Sequence, residues 1–299
     1  DKVKYITCNE KGKLNRLLCY FKYFILGIKY IYPVSNIKSE NLYGTKSIFW
    51  FSDFQHNAQP ENFSYDEIIS RTKSVNDYIK SKQPLVLSSL TAKEELYNYY
   101  DHKSNVYVVP FVSFIEPEIR KLSPITESEI LSKYHIQNKN YIMIANQFWK
   151  HKNHILLFKA IRELILRKQS EDLLFVFTGK MYDYRHPEYI EEINDYFNLP
   201  EFSMIVKNLG FIDRNEQIVI MKNSRFIIQP SLYEGWGTVV EDAKVLDKLI
   251  LLSDIRVHNE QKNENCTLFD PYNYFDLADK IINMMQIDHK DNIEKGIHD

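Results

Sequence analysis

Short apolar runs recur along this chain, alternating with longer stretches in which apolar residues return every three or four positions. Runs at 30–34, 48–51, 85–87 and 106–109 predict strands in the first part, and runs at 141–145, 173–177, 204–206, 226–228 and 249–252 predict strands in the second. The run at 226–228 ends at Pro230 and that at 106–109 at Pro110, which suits buried strands closed by a residue that cannot donate to a ladder. Ile68, Thr72, Val75 and Ile79 line one helix face, and Leu157, Ile161, Leu164 and Ile165 another. Four Ser/Thr-x-x-Glu pairs read as helix starts: Ser64 with Glu67, Thr91 with Glu94, Thr126 with Glu129, and Thr238 with Glu241. The alternation predicts an α/β protein, with six strands and a doubly wound parallel sheet in the second half. A linker is expected near the start of 118–140, where Pro124 and several charges break the pattern, giving domains 1–118 and 119–299.

The run 17–32, LLCYFKYFILGIKYIY, is apolar enough to notice, but Lys22 and Lys29 interrupt it and it is too short to span a bilayer. A half-buried crossover helix leading into the strand at 30–34 is expected, with a basic amphipathic surface helix as the alternative. The chain starts at Asp1 without an initiator methionine or signal-like segment, so a fragment or trimmed form is expected. At 299 residues it exceeds a usual single core, which agrees with two domains. A net charge of −2 gives no general attraction for nucleic acid, so any anion site must be local. Cys8, Cys19 and Cys266 are too few and too scattered for a disulfide framework or a zinc site, which fits a reducing, cytoplasmic setting.

Chemistry concentrates in 225–261, RFIIQPSLYEGWGTVVEDAKVLDKLILLSDIRVHNEQ, which reads as strand, glycine loop, helix, strand. Gly235 and Gly237 flank Trp236 and allow positive φ and close approach to a ligand. Thr238 opens the helix, whose N-terminal amides and dipole favour a phosphate above the end of the strand.

The segment SLYEGWGTVVEDAKV resembles the donor-binding signature of retaining, GT-B fold glycosyltransferases of sequence family four, in a bacterial surface-polysaccharide subgroup. The signature is two glutamates separated by seven residues. Glu234 matches the first, Asp242 stands at the second, and Glu241 lies one position earlier. The resemblance implies that Glu234 approaches the transferred sugar and that Asp242 or Glu241 holds the ribose. Asp242 keeps the register and is the expected ligand, with Glu241 serving the helix start. The implied fold is two Rossmann-like domains facing across a cleft.

Three further segments extend the resemblance. NQFWKHKNH after the strand at 141–145 is similar to the family's loop in which an arginine and a lysine grip the donor diphosphate, with Gln147 at the arginine position and Lys152 at the lysine, opening the next helix. Glutamine can hydrogen-bond a phosphate but not neutralise it, so more falls to Lys152, with Lys150 as an assistant. Asn208, Leu209, Gly210 and Phe211 resemble the base-binding loop, though Phe211 reads equally well as core. SDFQHNAQPENFS resembles an acceptor-side loop, with Asp53 and His56 toward the acceptor and His56 facing the sugar; a structural loop histidine is the equal alternative. The segment SDIRVHNEQ also matches the subgroup but carries no assigned role. Thr178, Gly179 and Lys180 look superficially like a phosphate loop, but Leu174 and Met181 stand where a glycine and a hydroxyl are needed.

The resemblance implies transfer from a nucleotide-diphosphate sugar to a saccharide or lipid-linked acceptor at the inner membrane face, with catalytic Glu234, His56 and Lys152. No Asp-x-Asp pair occurs, so no metal and no cofactor are expected, and Lys152 with the helix start at Thr238 supplies the positive potential. A non-catalytic nucleotide-sugar binding protein and a GT-B epimerase are the alternatives. Gly12, Gly27 and Gly44 are never paired, so the family's early glycine-rich cleft loop has no match and the first domain is expected to be incomplete, binding donor better than it transfers.

Overall fold

The computed structural model describes Leu18 and residues 21–22, 24–34, 46–101 and 105–287. It divides into two units, Asp1–Pro110 and Phe111–Asp299. The linker expected near residue 118 thus lies inside the second unit, whose first residues are tied to that unit by the bonds of Phe111 with Trp236 and of Ser113 with Asp242. Gly12 and Gly44 lie outside the described residues.

In the first unit, strands β1 (Tyr30–Val34), β2 (Lys46–Phe51), β3 (Leu85–Leu87) and β4 (Val106–Val108) form a parallel sheet in that order. Helix α1 (Gln55–Ala58) follows β2, then α2 (Tyr65–Ser81) and α3 (Leu90–Tyr99). The capping box Ser64–Glu67 starts α2 as expected, with both reciprocal bonds made. Helix α3 instead takes Ser89 as its cap, whose hydroxyl accepts from Ala92 N–H, so Thr91 is already helical. Phe49, Phe51, Phe54, Val75, Tyr78 and Leu96 make the core. Leu18, Phe21, Lys22, Phe24 and Ile25 are helical, but the four apolar ones are exposed, and among the described residues the core draws on Ile31 rather than on them. The half-buried crossover helix is therefore corrected: Leu18, Phe21, Phe24 and Ile25 do not insert into this core.

The second unit opens with α4 (Pro117–Arg120) and α5 (Pro124–Lys133). Helix α5 is capped by Ser123, not Thr126, because Pro124 takes the first helical position, where no amide is needed. Then follow β5 (Ile142–Ala145), α6 (His154–Leu166), β6 (Phe175–Thr178), α7 (Pro187–Asn198), β7 (Val206–Asn208), α8 (Arg214–Asn223), β8 (Phe226–Gln229), α9 (Thr238–Val245), β9 (Leu249–Ser253), α10 (Arg256–Gln261), β10 (Cys266–Phe269) and α11 (Tyr274–Met285). All strand pairs are parallel, in the order β10-β9-β8-β5-β6-β7. The sixth strand, β10, was not placed by the apolar runs.

Period two sorts the strand residues onto two faces. Ile142, Ile144, Phe175, Phe177, Phe226, Ile228, Leu249 and Leu251 pack with α6, α7 and α11. Met143, Val176, Ile227, Ile250 and Leu252 pack with α5, α8 and α9. Helices on both faces make this a doubly wound sheet, and its strand order reverses between β8 and β5. Ligand sites in such sheets lie outside the carboxyl ends of the strands at that reversal. Among the described residues no helix is long and apolar enough to cross a membrane.

Candidate functional site

The loops after β5 and β8 leave the sheet side by side. Leu232 N–H donates to His151 C=O at 2.7 Å, tying the two together. In the first loop, Gln147, Phe148 and Trp149 lead into a short turn, Lys150–Lys152, and Asn153 takes a left-handed φ of 59° before α6 begins. Lys152 therefore precedes the helix rather than opening it. The Trp149 indole donates to Gln147 Oε1 at 2.6 Å. Indole N–H can only donate, so the Gln147 amide is oriented with its NH2 group outward, as a neutral donor at the position an arginine would hold.

Lys152 and Glu234 form an ion pair across the two loops, and Ser231 donates to the same Glu234 oxygen at 2.7 Å. The Glu234 side chain is only 10 % exposed. Burial alone would raise its carboxyl, but Lys152, with His258 and His151, outweighs burial and holds it at about 2. Two residues expected to touch different parts of one donor thus meet each other.

After Glu234, the backbone of Gly235 and Gly237 does not use positive φ; Gly237 sits at −79°. Gly237 is the N-cap of α9, and Thr238 is the first helical residue with no side-chain cap bond. The expected Thr238–Glu241 capping box is corrected. Glu241 instead accepts from Lys244 at 3.1 Å and Gln261 at 3.0 Å. The amides of Thr238 and Val239 have no carbonyl one turn earlier to bond, so the helix still begins with donors. Trp236 reaches back, its indole donating to Phe111 C=O at 2.9 Å.

Asp242 is buried one turn into α9, where Arg214 grips both carboxylate oxygens and Ser113 donates to one of them. These residues border a cavity of about 240 Å³ with Phe111, Gln217 and Thr238. Phe211 is exposed beside Gly210, which needs its φ of +69°, so the alternative of a core phenylalanine is corrected. Gly179 donates to Gly210 C=O at 2.9 Å and lies against the Asn146 carbonyl, so close that a Cβ would come within 1.9 Å of it. The loops after β5, β6 and β7 therefore converge on the same end of the sheet.

In the first unit, His56 is buried under the carboxyl end of β2. Arg71 Nε donates to its Nδ1 at 3.2 Å, which leaves the proton on Nε2 to donate to Tyr100 at 3.2 Å; Tyr100 then donates to Asn57 at 3.1 Å. Arg71 also bonds Asp53 at 2.7 Å. Burial, then Arg71, lower the His56 ring to about 4 against the pull of Asp53. Both ring nitrogens are used, by side chains rather than by backbone.

Arg214, Ser113, Ser231, His258 and Gln261 enter the site without having been expected. His258 and Gln261 carried a signal in the segment SDIRVHNEQ and Ser231 in SLYEGWGTVVEDAKV; Arg214 and Ser113 are brought in by folding alone. Among the described residues no three His, Cys, Asp or Glu side chains converge to hold a metal.

The sequence profile described as Glycosyl transferases group 1 matches residues 127–296. No curated protein matches the sequence. Among solved structures, a glycosyltransferase from Rickettsia africae ESF-5 is similar at a TM-score of 0.69 and 18 % identity, over 94 % of this chain and 74 % of that one. HepE from Anabaena, in complex with UDP and glucose, is similar at 0.65 and 14 %, over 92 % and 67 %. A trehalose-phosphate synthase from Burkholderia xenovorans is similar at 0.65 and 10 %, over 82 % and 61 %. At such identities the structures speak for the fold, two parallel α/β units of the GT-B type. The profile covers more than half of the chain and spans the loops after β5, β6, β7 and β8, and on that match this protein belongs to the Glycosyl transferases group 1 family.

Proposed function

We propose that the protein is a retaining, metal-independent hexosyltransferase that moves a sugar from a nucleotide-diphosphate sugar to a saccharide or lipid-linked acceptor in surface-polysaccharide synthesis, working at the inner membrane face when the acceptor is lipid-linked. The observation that carries this reading is the Lys152–Glu234 pair, held by two adjoining loops where the strand order reverses and beside the start of α9. The UDP and glucose held by the Anabaena relative, which shares the fold, support a nucleotide-sugar donor.

In this reading Lys152 and the outward Gln147 amide take the donor diphosphate, with the Thr238 and Val239 amides completing its cradle. Phe211 stacks on the base and Asp242 meets the ribose. Glu234, released from part of its contact with Lys152 as phosphate arrives, takes a sugar hydroxyl. The bond from the anomeric carbon to the leaving phosphate oxygen breaks, with its electrons going to the phosphate. The acceptor oxygen bonds the same carbon on the same face, and its proton passes to the leaving phosphate. Lys152, Gln147 and the helix amides stabilise the charge that grows on the diphosphate. His56, enclosed, braces the loop that carries Asp53 rather than touching substrate.

A thermal-shift panel of nucleotide sugars tests this, since a donor at a hundred times its Kd stabilises by ~2.7 kcal/mol. A donor that binds is then offered acceptors with and without a chelator. Donor binding with neither hydrolysis nor transfer would favour a binding protein, and isomerised donor without acceptor an epimerase.

A further inference from the structure

Gln261 is the last residue of α10 and is 2 % exposed. Its amide holds both backbone groups of Gly237: Gly237 N–H donates to Oε1 at 3.0 Å, and Nε2 donates to Gly237 C=O at 3.1 Å. The other Nε2 hydrogen goes to Glu241 at 3.0 Å. A backbone N–H only donates and a C=O only accepts, so this orientation is dictated by the partners. Lys244 closes the ring of contacts by donating to Glu241 and, at 3.2 Å, to Gln261 C=O.

In a capping box the side chain three residues into the helix reaches back to the N-cap amide. In α9 that residue is Val240, which cannot, and Gln261 does so from another helix. A Cβ on Gly237 would stand 3.0 Å from Gln261 Oε1, so the clamp and the glycine suit each other. The clamp has a chemical consequence. With the Gly237 amide occupied, the amides left to face an anion are those of Thr238 and Val239, and Gln261 decides where they point. The same segment steadies the other end of the loop, because Ser253 donates to Ser231 C=O at 2.6 Å, and His258 Nδ1 lies 3.0 Å from the Ser253 carbonyl.

We propose that Gln261 is a positioning residue for donor binding: its two-point grip on Gly237 sets the path of the Glu234–Thr238 loop without touching substrate. This rests on the donor-site reading given under Proposed function. Two variants test it. Gln261→Leu keeps the size and removes every side-chain hydrogen bond, while Gln261→Glu can still accept from Gly237 N–H but cannot donate and sets a second carboxylate beside Glu241. Hydrogen exchange is followed in the peptide spanning 233–240, and affinity is measured by calorimetry for whichever of UDP, GDP, ADP and dTDP binds the wild type best. Both variants should speed exchange in that peptide and weaken the nucleotide by roughly tenfold or more, while other peptides of the second unit keep their protection. Exchanging the partners, in Glu241→Gln with Gln261→Glu, should recover affinity relative to Gln261→Glu alone. Unchanged exchange at 233–240, or faster exchange with unchanged affinity, overturns the proposal. If Gln261→Leu does not fold, Gln261→Glu and the exchanged pair still decide. A wild type that binds none of the four nucleotides sinks the donor-site reading, and the positioning role with it. The exchange data then report separately whether the clamp holds the loop.

Discussion

Arg214 grips Asp242 with two parallel hydrogen bonds, Nη1 to Oδ2 at 2.7 Å and Nη2 to Oδ1 at 2.6 Å. Aspartate is one methylene shorter than the glutamate of the signature, and here a guanidinium engages both of its oxygens. Two oxygens offer about four lone-pair sites; Arg214 takes two and Ser113 one, so room for a ribose hydroxyl remains. Asp242→Ala should weaken nucleotide affinity, whereas Glu241→Ala should mainly lower stability by ~1 kcal/mol, through its lost bonds to Lys244 and Gln261. Arg214→Ala should do both, since it leaves a buried carboxylate underpaired at a cost of roughly 1 to 3 kcal/mol. Calorimetry and urea unfolding on the three variants separate these; a Glu241 variant that loses affinity while the Asp242 variant does not reverses the assignment.

Lys152→Ala removes a charge-assisted phosphate contact worth roughly 1.5 to 3 kcal/mol, about ten- to a hundredfold in Kd. It also strips Glu234 of the charge that offsets its burial. Glu234 now lies at about 2, below its ordinary 4.5, so its contribution to stability is complete above pH 4.5 and fades as pH falls toward 2. Without Lys152 burial moves the carboxyl back up, so that acid-side loss should shrink. An unaltered Kd would mean that the diphosphate sits elsewhere.

His56 in the first unit and His154 in the second are both buried as neutral rings, lowered to about 4 and about 3. For His154 burial is the largest cause, followed by Lys152 and His151, and neither ring nitrogen has a hydrogen-bond partner among the described residues. A base lowered by folding contributes stability above its ordinary 6.5 and loses it as pH falls. Unfolding free energy should drop between pH 6.5 and 5 by about 1.4 kcal/mol per pH unit for each ring. Since His154 stacks on Phe148 at 4.4 Å, His154→Phe should keep that packing and flatten the acid slope of the second unit. An equal slope in the variant would assign the acid sensitivity to other groups.

Gly179→Ala should be far more damaging than Gly210→Ala. The first sets a methyl 1.9 Å from the Asn146 carbonyl at a φ of +142°, while the second meets open space at +69°. Gly210→Ala should cost about 1 to 2 kcal/mol of left-handed strain. Gly179→Ala should cost roughly 3 kcal/mol or more and shift Gln147 beside Asn146, so melting temperature and nucleotide affinity should fall together. Equal melting temperatures would contradict the close approach.

The β/α order, nearly every strand, the Ser64–Glu67 cap and the glycine loop with its two acids were legible in the sequence, because each depends on residues within a few positions of one another. Period-two apolar runs mark a strand wherever it finally sits, and a capping box closes within one turn. Strand β10 was missed because Cys266, Thr267, Leu268 and Phe269 alternate too weakly at a sheet edge to stand out from a loop. Three of the four expected capping boxes moved because a serine or glycine just upstream started the helix first. Nothing local, in contrast, announces that Lys152 meets Glu234, that Arg214 covers Asp242, or that Gln261 caps Gly237. Those pairs join loops and helices that follow different strands: the parallel strand order brings β5, β8 and β9 together for the first and third pairs, and the packing of α8 and α9 on one face of the sheet does so for the second. Residue chemistry determined what each group can donate or accept; tertiary structure decided which group receives it, because desolvation in a shared interior penalises any buried charge or amide left without a partner.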